Sequence, residues 1–121
     1  MKNKIWLTEP EEHDYPAAQD YLELIYPEKI VPPIVNRLRS NPTIVKKAKD
    51  ILRASKLPLL PSDNIHVKEN LQKVKKGKQL SPILLVRDGK LIVADGYHRV
   101  CAIYYLSEDL EVPCRITDRE G

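Results

Sequence analysis

Residues 82–106 read PILLVRDGKLIVADGYHRVCAIYYL and contain the pattern that decides the fold. Two short apolar runs, 83–86 and 91–94, are separated by the four residues 87–90 (RDGK). Asp-Gly between two β-prone runs predicts a hairpin, because glycine tolerates the positive φ that tight hairpin turns need. Both runs are continuously apolar rather than alternating, which predicts that both faces of the sheet are covered. A helix is expected to follow from Tyr97 to Leu106.

The residues before this stretch are predicted to be mostly helical. The first elements expected are a short strand at 4–7, a helix from Tyr15 to Tyr26 that Asp14 caps and Pro27 stops, and a short helix after an interruption at Pro32-Pro33. Asn41-Pro42 then restarts the chain, and the next apolar residues have the spacing of one helical stripe. They are Ile44, Val45, Ala48, Ile51 and Leu52.

The remaining elements are a helix and a closing strand. Asp63 or Asn64 is expected to cap a helix with Val67, Leu71 and Val74 on its apolar side, and Gly77 is expected to end it. A last strand is predicted from Glu111 to Thr117, where Pro113 argues for an edge position. The fold class predicted is therefore α+β, with a small mixed sheet. We expect one domain over residues 1–121, with a mostly helical region at 1–62 and a core at 63–117.

Composition and hydropathy indicate a soluble globular protein. Apolar residues are 42% and charged residues 31% of the 121 residues, which is ordinary for that class. No apolar run approaches the roughly 18 residues that cross a bilayer. The first nine residues have no long apolar segment behind their lysines, so we predict no signal peptide, no membrane partner and a cytoplasmic location. Cys101 and Cys114 are interpreted as two buried free thiols, with a disulfide left open.

Charge is unevenly distributed along the chain. Residues 31–80 carry twelve Lys and Arg against three acids, a net charge of +9, whereas residues 1–30 are net −4 and residues 81–121 net −2. A basic middle can contact nucleic-acid phosphates. The structural alternative is a solvated helix face.

The candidate site is Asp95-Gly96-Tyr97-His98-Arg99, at the predicted change from strand to helix. A helix start offers unpaired N–H groups and a partial positive charge, which favour an anion, and Gly96 allows close approach. Arg99 can grip a phosphate or carboxylate, and His98 can bind an anion or exchange a proton. Asp95 can hold a metal ion that accompanies a phosphate. A helix cap for Asp95, a surface charge for Arg99 and simple packing for His98 are the alternatives.

Two other groups of polar residues are weaker candidates. Glu12, with neighbouring acids and His13, can supply a general base or metal ligands. Acids beside a capped helix start explain the same pattern. His66 falls at another predicted helix start, where capping or solvent contact is the simpler explanation.

Residues from about 65 to 117, and the 95–99 turn above all, resemble the ParB/sulfiredoxin superfamily. The match covers the two apolar runs, the 95–99 turn with Ala102 one helical turn later, and Val112-Pro113-Cys114-Arg115 as the closing strand. ParB-type domains have Gly-Glu-Arg-Arg at this turn, sulfiredoxins have Gly-Cys-His-Arg, and free-serine kinases are similar in the same region. The chain as a whole resembles bacterial or archaeal single-domain proteins whose last helix begins with Gly-Tyr-His-Arg.

The resemblance implies a ParB/sulfiredoxin-like sheet and a nucleotide-phosphate site at Gly96, Tyr97, His98 and Arg99. The superfamily binds CTP in partition proteins and ATP in sulfiredoxins, so the implied cofactor is a nucleoside triphosphate or diphosphate with Mg²⁺. Tyr97 stands where sulfiredoxins have their nucleophilic cysteine. Because a phenol cannot replace that thiolate, sulfinic-acid reductase activity is not expected.

The function predicted from these features is binding of a nucleotide or a phosphorylated small molecule, with phosphoryl transfer or nucleotide hydrolysis as the reaction. In this hypothesis Asp95, His98 and Glu12 are the catalytic candidates, and Asp95 is the candidate metal ligand. The alternatives are a non-enzymatic DNA- or RNA-binding protein that uses residues 31–80, a ParB-like nuclease, and a partner-binding module with a vestigial site.

Overall fold

The structure is a computed structural model that describes residues 5–120. Within this range the chain forms five α-helices and a four-stranded mixed sheet, which confirms the predicted α+β class. The elements are α1 (Asp14–Leu22), α2 (Val31–Ser40), β1 (Ile44–Lys47), α3 (Ala48–Ser55), α4 (Ile65–Lys75), β2 (Ile83–Asp88), β3 (Lys90–Asp95), α5 (Tyr97–Leu106) and β4 (Glu111–Asp118), with a short 3-10 helix at Glu28–Ile30.

The sheet has the strand order β1-β4-β2-β3. Strands β2 and β3 form the predicted antiparallel hairpin, and Gly89 has φ +75° at its turn. Strand β4 runs parallel to β2 and antiparallel to β1, so the sheet is mixed. Helix α5 leads from the end of β3 towards β4, and its first residues follow the carboxyl end of β3 directly.

Both faces of the β2–β3 hairpin are covered, as its continuous apolarity predicts. Leu84 and Val86 of β2 pack with α1 and α2, whereas Ile83 and Leu85 pack with α3, α4 and α5. All four side chains are buried, and full burial of each contributes about 1.5–3 kcal/mol to stability. The site at the end of β3 therefore rests on a strand pair that is fixed from both sides.

Residues 44–47 are a strand, and the prediction of one helix from Ile44 to Leu52 is wrong for its first half. Strand β1 pairs with β4 in a register that sets Ile44 against Cys114 and Lys47 against Glu111. Ile44 and Val45 are both β-branched and exposed, so they do not belong to the buried stripe of α3. The apolar spacing alone could not show the β4 edge that β1 extends.

Strand β4 lies inside the sheet, so the edge position argued from Pro113 is wrong for the strand as a whole. The two neighbours of β4 cover different parts of it, because β1 pairs with Glu111–Cys114 and β2 pairs with Cys114–Asp118. Pro113 is aligned only with Val45 of β1, and its other side lies before the first residue paired with β2. A proline without an N–H is tolerated at such a position.

The first two helices also differ from their predictions. Pro32 and Pro33 occupy the first turn of α2, where a missing N–H breaks no helical hydrogen bond, so they do not interrupt the helix. Helix α1 ends at Leu22, before the Tyr26 end that was expected. Asp14 is the first residue of α1 rather than its cap, because the N-cap position is occupied by His13.

The other local predictions agree with the structure or lie partly outside it. Asn64 caps α4 by accepting hydrogen bonds from the backbone N–H groups of His66 and Val67. Cys101 and Cys114 are buried free thiols. The predicted strand at 4–7 begins outside the described residues, and Trp6 makes one isolated parallel bridge with Leu80. Among residues 5–120, the structure has no helix long and apolar enough to cross a membrane.

Candidate functional site

A cavity of about 300 Å³ lies between α4 and the turn that joins β3 to α5. One wall comes from α4 and consists of His66, Glu69, Asn70 and Lys73. The other wall consists of Asp95, Gly96, His98 and Arg99. The structure therefore brings four residues of the sequence-predicted site to one cavity, together with four residues of α4.

Gly96 is required by the geometry of the turn. It precedes the first residue of α5 and has φ +113°, a conformation that side chains with a Cβ rarely adopt. A Cβ at this position would lie 2.7 Å from Ile83 Cβ and would also overlap its Cγ2. The close packing of the turn on β2 thus explains the glycine without any ligand.

The start of α5 has no side-chain cap. The first N–H groups of a helix have no partner within the helix, and they give that end a partial positive charge. Because Gly96, His98 and Arg99 line the cavity, this uncapped end borders it. An anion in the cavity would meet polarised backbone donors there.

Arg99 is already held by groups of the protein. Its Nη2 donates to Asp95 Oδ2 at 2.6 Å and its Nη1 donates to Ser81 Oγ at 2.7 Å. Nη1 also lies 3.5 Å from Asp14 Oδ1. Its Nε is buried and has no hydrogen-bond partner among the described residues. Arg99 therefore connects the β3–α5 turn to α1 and to the residues just before β2, and its Nε–H is the donor without a partner.

Two carboxylates, those of Asp95 and Asp14, lie around Arg99, and the sequence predicted different roles for them. Asp95 was a predicted site residue, and burial raises the pKa of its carboxyl, with Asp14 adding to the rise and Arg99 opposing it. Asp14 was predicted to be a helix cap and was also one of the acids beside Glu12 that were considered as a base or metal ligand. Instead it is almost fully buried, and its Oδ2 accepts a hydrogen bond of 2.9 Å from the N–H of Glu11.

Two imidazole rings meet at the cavity. The ring centroids of His66 and His98 are 4.9 Å apart in an edge-to-face arrangement. Burial lowers the pKa of His98, and His66 and Arg99 lower it further. His66 Nδ1 lies 3.2 Å from Glu69 Oε1, so its ring is also oriented by its own helix.

Tyr97 and Glu12 make their hydrogen bond and ion pair with residues outside the cavity wall. The Tyr97 hydroxyl donates to the Pro58 carbonyl at 2.6 Å, which ties α5 to the segment between α3 and α4. Glu12 is exposed and binds Arg39 through a 2.8 Å contact. Neither residue lines the cavity, so the structure does not bring these two predicted site residues to the other four.

The α4 wall was not predicted as part of the site. Its four residues have the spacing i, i+3, i+4 and i+7, which places them on one face of the helix. A polar stripe of this kind, beside the apolar stripe of Val67, Leu71 and Val74, was a signal available in the sequence. What the sequence could not show is that this face lies against the start of α5.

A protein-only metal site is not formed by the described residues, because no three His, Cys, Asp or Glu side chains there are placed to hold one ion. The hydrogen-bond donors that line the cavity fit an anion better than a metal ion. The ammonium group of Lys73 has no hydrogen-bond or ion-pair partner among residues 5–120, and the start of α5 lines the same cavity.

No protein-family model, no curated protein and no solved structure matches this chain.

Proposed function

We propose that the cavity between α4 and α5 binds the phosphate of a nucleotide or of another phosphorylated small molecule. The observation that carries this proposal is the uncapped start of α5, which lines the cavity together with Lys73, a lysine whose ammonium has no partner among the described residues. Backbone N–H donors and a lysine that converge on one space are a common arrangement for phosphate.

The resemblance of residues 65–117 to the ParB/sulfiredoxin superfamily supports the same ligand. Gly96, His98 and Arg99 occupy the positions that the resemblance assigns to phosphate contacts. In our proposal Gly96 lets the phosphate approach the backbone, and His98 donates to it. Arg99 acts chiefly through its hold on the turn, because Asp95, Asp14 and Ser81 already bind its guanidinium.

Phosphoryl transfer or nucleotide hydrolysis is the reaction that this arrangement fits. Asp95 lines the cavity with a raised carboxyl pKa, so it can accept the proton of an attacking hydroxyl or water. Mg²⁺ enters with the phosphate and is held mainly by phosphate oxygens and water, as this ion commonly is. The protein positions the group and supplies the proton acceptor.

A thermal-shift panel tests the binding proposal. Nucleoside diphosphates, nucleoside triphosphates and pyrophosphate are each added with and without Mg²⁺, since a ligand that binds only the native state raises the melting temperature. We expect at least one of them to raise it for the wild type and for Lys75→Gln, but not for Lys73→Gln. Lys75 is the matched control, because it is an exposed, unpaired lysine of the same helix outside the cavity wall.

Two results would overturn this proposal. An equal shift in wild type and Lys73→Gln would place the ligand elsewhere. A panel without any shift would favour the alternative of a partner-binding module with a vestigial site.

Nucleic-acid binding is a second candidate function, and one observation favours it. Several basic residues of the 31–80 region are paired within the protein, including Arg39 with Glu12 and Lys49 with Asp109. The exposed lysines of α4 and its following turn have no such partners in the described chain. They are Lys68, Lys73, Lys75, Lys76 and Lys78.

Retardation of a single-stranded oligonucleotide tests the second candidate. If these lysines bind phosphates, retardation is expected at low salt and is lost as salt increases, and Lys75→Gln with Lys76→Gln should weaken it. No retardation at low salt would remove this function. Loss of binding in the same double variant but not in Lys73→Gln would separate it from the cavity proposal.

A further inference from the structure

His66 and His98 are the second residues of two different helices that meet at the cavity. His66 follows Ile65 at the start of α4, and His98 follows Tyr97 at the start of α5. Their ring centroids are 4.9 Å apart, and both residues line the cavity. Each imidazole therefore lies at the partially positive end of its own helix and beside the other imidazole.

The charged groups around the pair come from four elements. Helix α4 supplies Lys73 and Glu69, and Glu69 Oε1 lies within hydrogen-bond distance of His66 Nδ1. Helix α5 supplies Arg99, and β3 supplies Asp95, which is bonded to that guanidinium at 2.6 Å. Asp14 of α1 adds a second carboxylate near Arg99. The carboxylates thus have cations of their own, and no described acid is left to neutralise a second imidazolium.

We propose that the His66–His98 pair takes up protons when an anion enters the cavity, so that the affinity of the site for phosphate rises as the pH falls through the range where histidine titrates. Two imidazolium rings at this separation repel each other when no anion lies between them. An anion that contacts both rings removes that repulsion and favours their protonated forms.

This inference rests on the proposed phosphate function and adds proton linkage to it. Linkage is reciprocal, so if the anion raises the pKa of the imidazoles, protonation raises the affinity for the anion by the same factor. Without ligand, burial lowers the pKa of His98 below its ordinary value, and His66 and Arg99 lower it further, which favours the neutral ring. A change of charge is therefore available there when the ligand arrives.

Imidazole titration by NMR on the full chain tests the proposal. The sequence has three histidines, so three ring Cε1–H signals can be assigned from single His→Gln variants. His13 is the internal control, since it lies beside Glu11 and Asp14 and does not line the cavity. The three pKa values are measured without ligand and with saturating pyrophosphate, and backbone amide shifts of Tyr97 and His98 report binding in the same samples.

We expect pyrophosphate to raise the pKa of His98 or His66 by about half a unit or more and to leave His13 unchanged. In the protein without ligand, His66→Gln should raise the pKa of His98, because it removes the neighbouring ring. His66 is exposed and only its backbone N–H contacts the Asn64 cap, so this variant keeps the helix start.

Three outcomes would count against these statements, and they can be told apart. Amide shifts at α5 without any change in imidazole pKa would overturn the proton linkage and leave phosphate binding in place. An unchanged His98 pKa in ligand-free His66→Gln would show that the rings are not coupled and would also overturn it. No amide shift with pyrophosphate would remove this anion site and the linkage with it.

Affinity provides a second readout. The dissociation constant of pyrophosphate should fall between pH 8 and pH 6 more strongly for the wild type than for the double variant His66→Gln with His98→Gln, over the range in which histidine titrates. Protonation of pyrophosphate itself is common to both proteins, so the difference between them isolates the two imidazoles. Parallel pH profiles would contradict the proposal.

Discussion

Asp14 Oδ1 lies 3.5 Å from Arg99 Nη1, although the two residues come from the first helix and the last helix of the chain. The Asp14 side chain is 3% exposed and that of Arg99 is 15% exposed, so the contact is shielded from water. Helix α1 packs on one face of the sheet, and α5 belongs to the other face. This ion pair therefore connects the two layers at the edge of the cavity.

Removal of the Asp14 charge should weaken this connection and change the titration of Asp95. Asp14→Asn is expected to lower the free energy of unfolding by about 1–3 kcal/mol, the usual range for a buried group that loses its charged partner interaction. Because Asp14 raises the pKa of the Asp95 carboxyl, the variant should lower that pKa. Urea denaturation and carboxyl NMR titration measure the two effects.

Asp20→Asn is the matched control for Asp14. Asp20 is an exposed residue of the same helix, and its carboxylate has no hydrogen-bond or ion-pair partner in residues 5–120. It should change stability by less than about 0.5 kcal/mol, as surface substitutions usually do. Equal effects of the two variants would show that the Asp14–Arg99 contact contributes nothing specific.

Arg99→Ala should destabilise the protein more at neutral pH than at acid pH. The substitution leaves Asp95 and Asp14 buried without their cation, and breaking a buried pair in this way costs about 3–5 kcal/mol. Arg99 holds the Asp95 pKa down against burial, so its loss raises that pKa further above the unfolded value. A carboxyl whose pKa is higher in the folded than in the unfolded state lowers the free energy of unfolding as the pH rises. The stability lost in Arg99→Ala therefore grows as the pH rises from the unfolded pKa of Asp95 to its folded pKa.

Unfolding free energies at acid and neutral pH test this prediction, with Arg53→Ala as the control. Arg53 forms an exposed pair with Asp50 at 3.5 Å and should contribute little at either pH. A loss of stability in Arg99→Ala that does not depend on pH would contradict the prediction.

Nucleotide affinity should also fall about tenfold or more in Arg99→Ala if the turn that Arg99 holds forms the phosphate site.

Gly96→Ala should be more damaging than Gly89→Ala. Both glycines have positive φ, +113° for Gly96 and +75° for Gly89, but only Gly96 has neighbours that a Cβ would overlap. The backbone term alone costs about 1 kcal/mol, and the overlap with Ile83 adds about 1–3 kcal/mol. Thermal unfolding of both variants measures the difference. Similar melting temperatures would mean that the turn can move away from β2.

Local patterns account for the part of the site that was predictable. The 95–99 turn lies between a strand and a helix that were both evident from contiguous residues, so its position and glycine could be read from the sequence. The α4 wall and Asp14 could not be placed in this way. They reach the turn only through the packing of α4 on α5 and of α1 on the sheet, which contiguous spacing does not encode.

The fold shows the same division between local and distant information. The β2–β3 hairpin was predictable because its turn residues and apolar runs are adjacent. Strand β1 was not, because Ile44 and Val45 become a strand only by pairing with Cys114 and Pro113 far along the chain. The edge position predicted from Pro113 was wrong for a similar reason. The sheet tolerates this proline because β4 begins to pair with β2 only at the next residue, Cys114.

Tyr26 should give the protein a pH-dependent contribution to stability in the alkaline range. Its hydroxyl donates to Asp88 Oδ2 at 2.7 Å and fastens the α1–α2 connection to the end of β2. Burial and this hydrogen bond raise the pKa of Tyr26 from 10.0 to about 12. With the folded pKa above the unfolded one, the stabilisation is fully present below pH 10 and is lost as the pH rises through about 12.

Tyr26→Phe should lower the free energy of unfolding by about 1 kcal/mol at neutral pH, and the difference from wild type should shrink between pH 10 and pH 12. Urea denaturation at several pH values measures both effects, and the wild-type minus variant difference cancels the titration of the other tyrosines and lysines. Tyr21→Phe is the control, because Tyr21 is 43% exposed and its hydroxyl has no partner among the described residues. A Tyr26 difference that stays constant up to pH 12 would show that the Asp88 hydrogen bond does not shift the ionisation of the phenol.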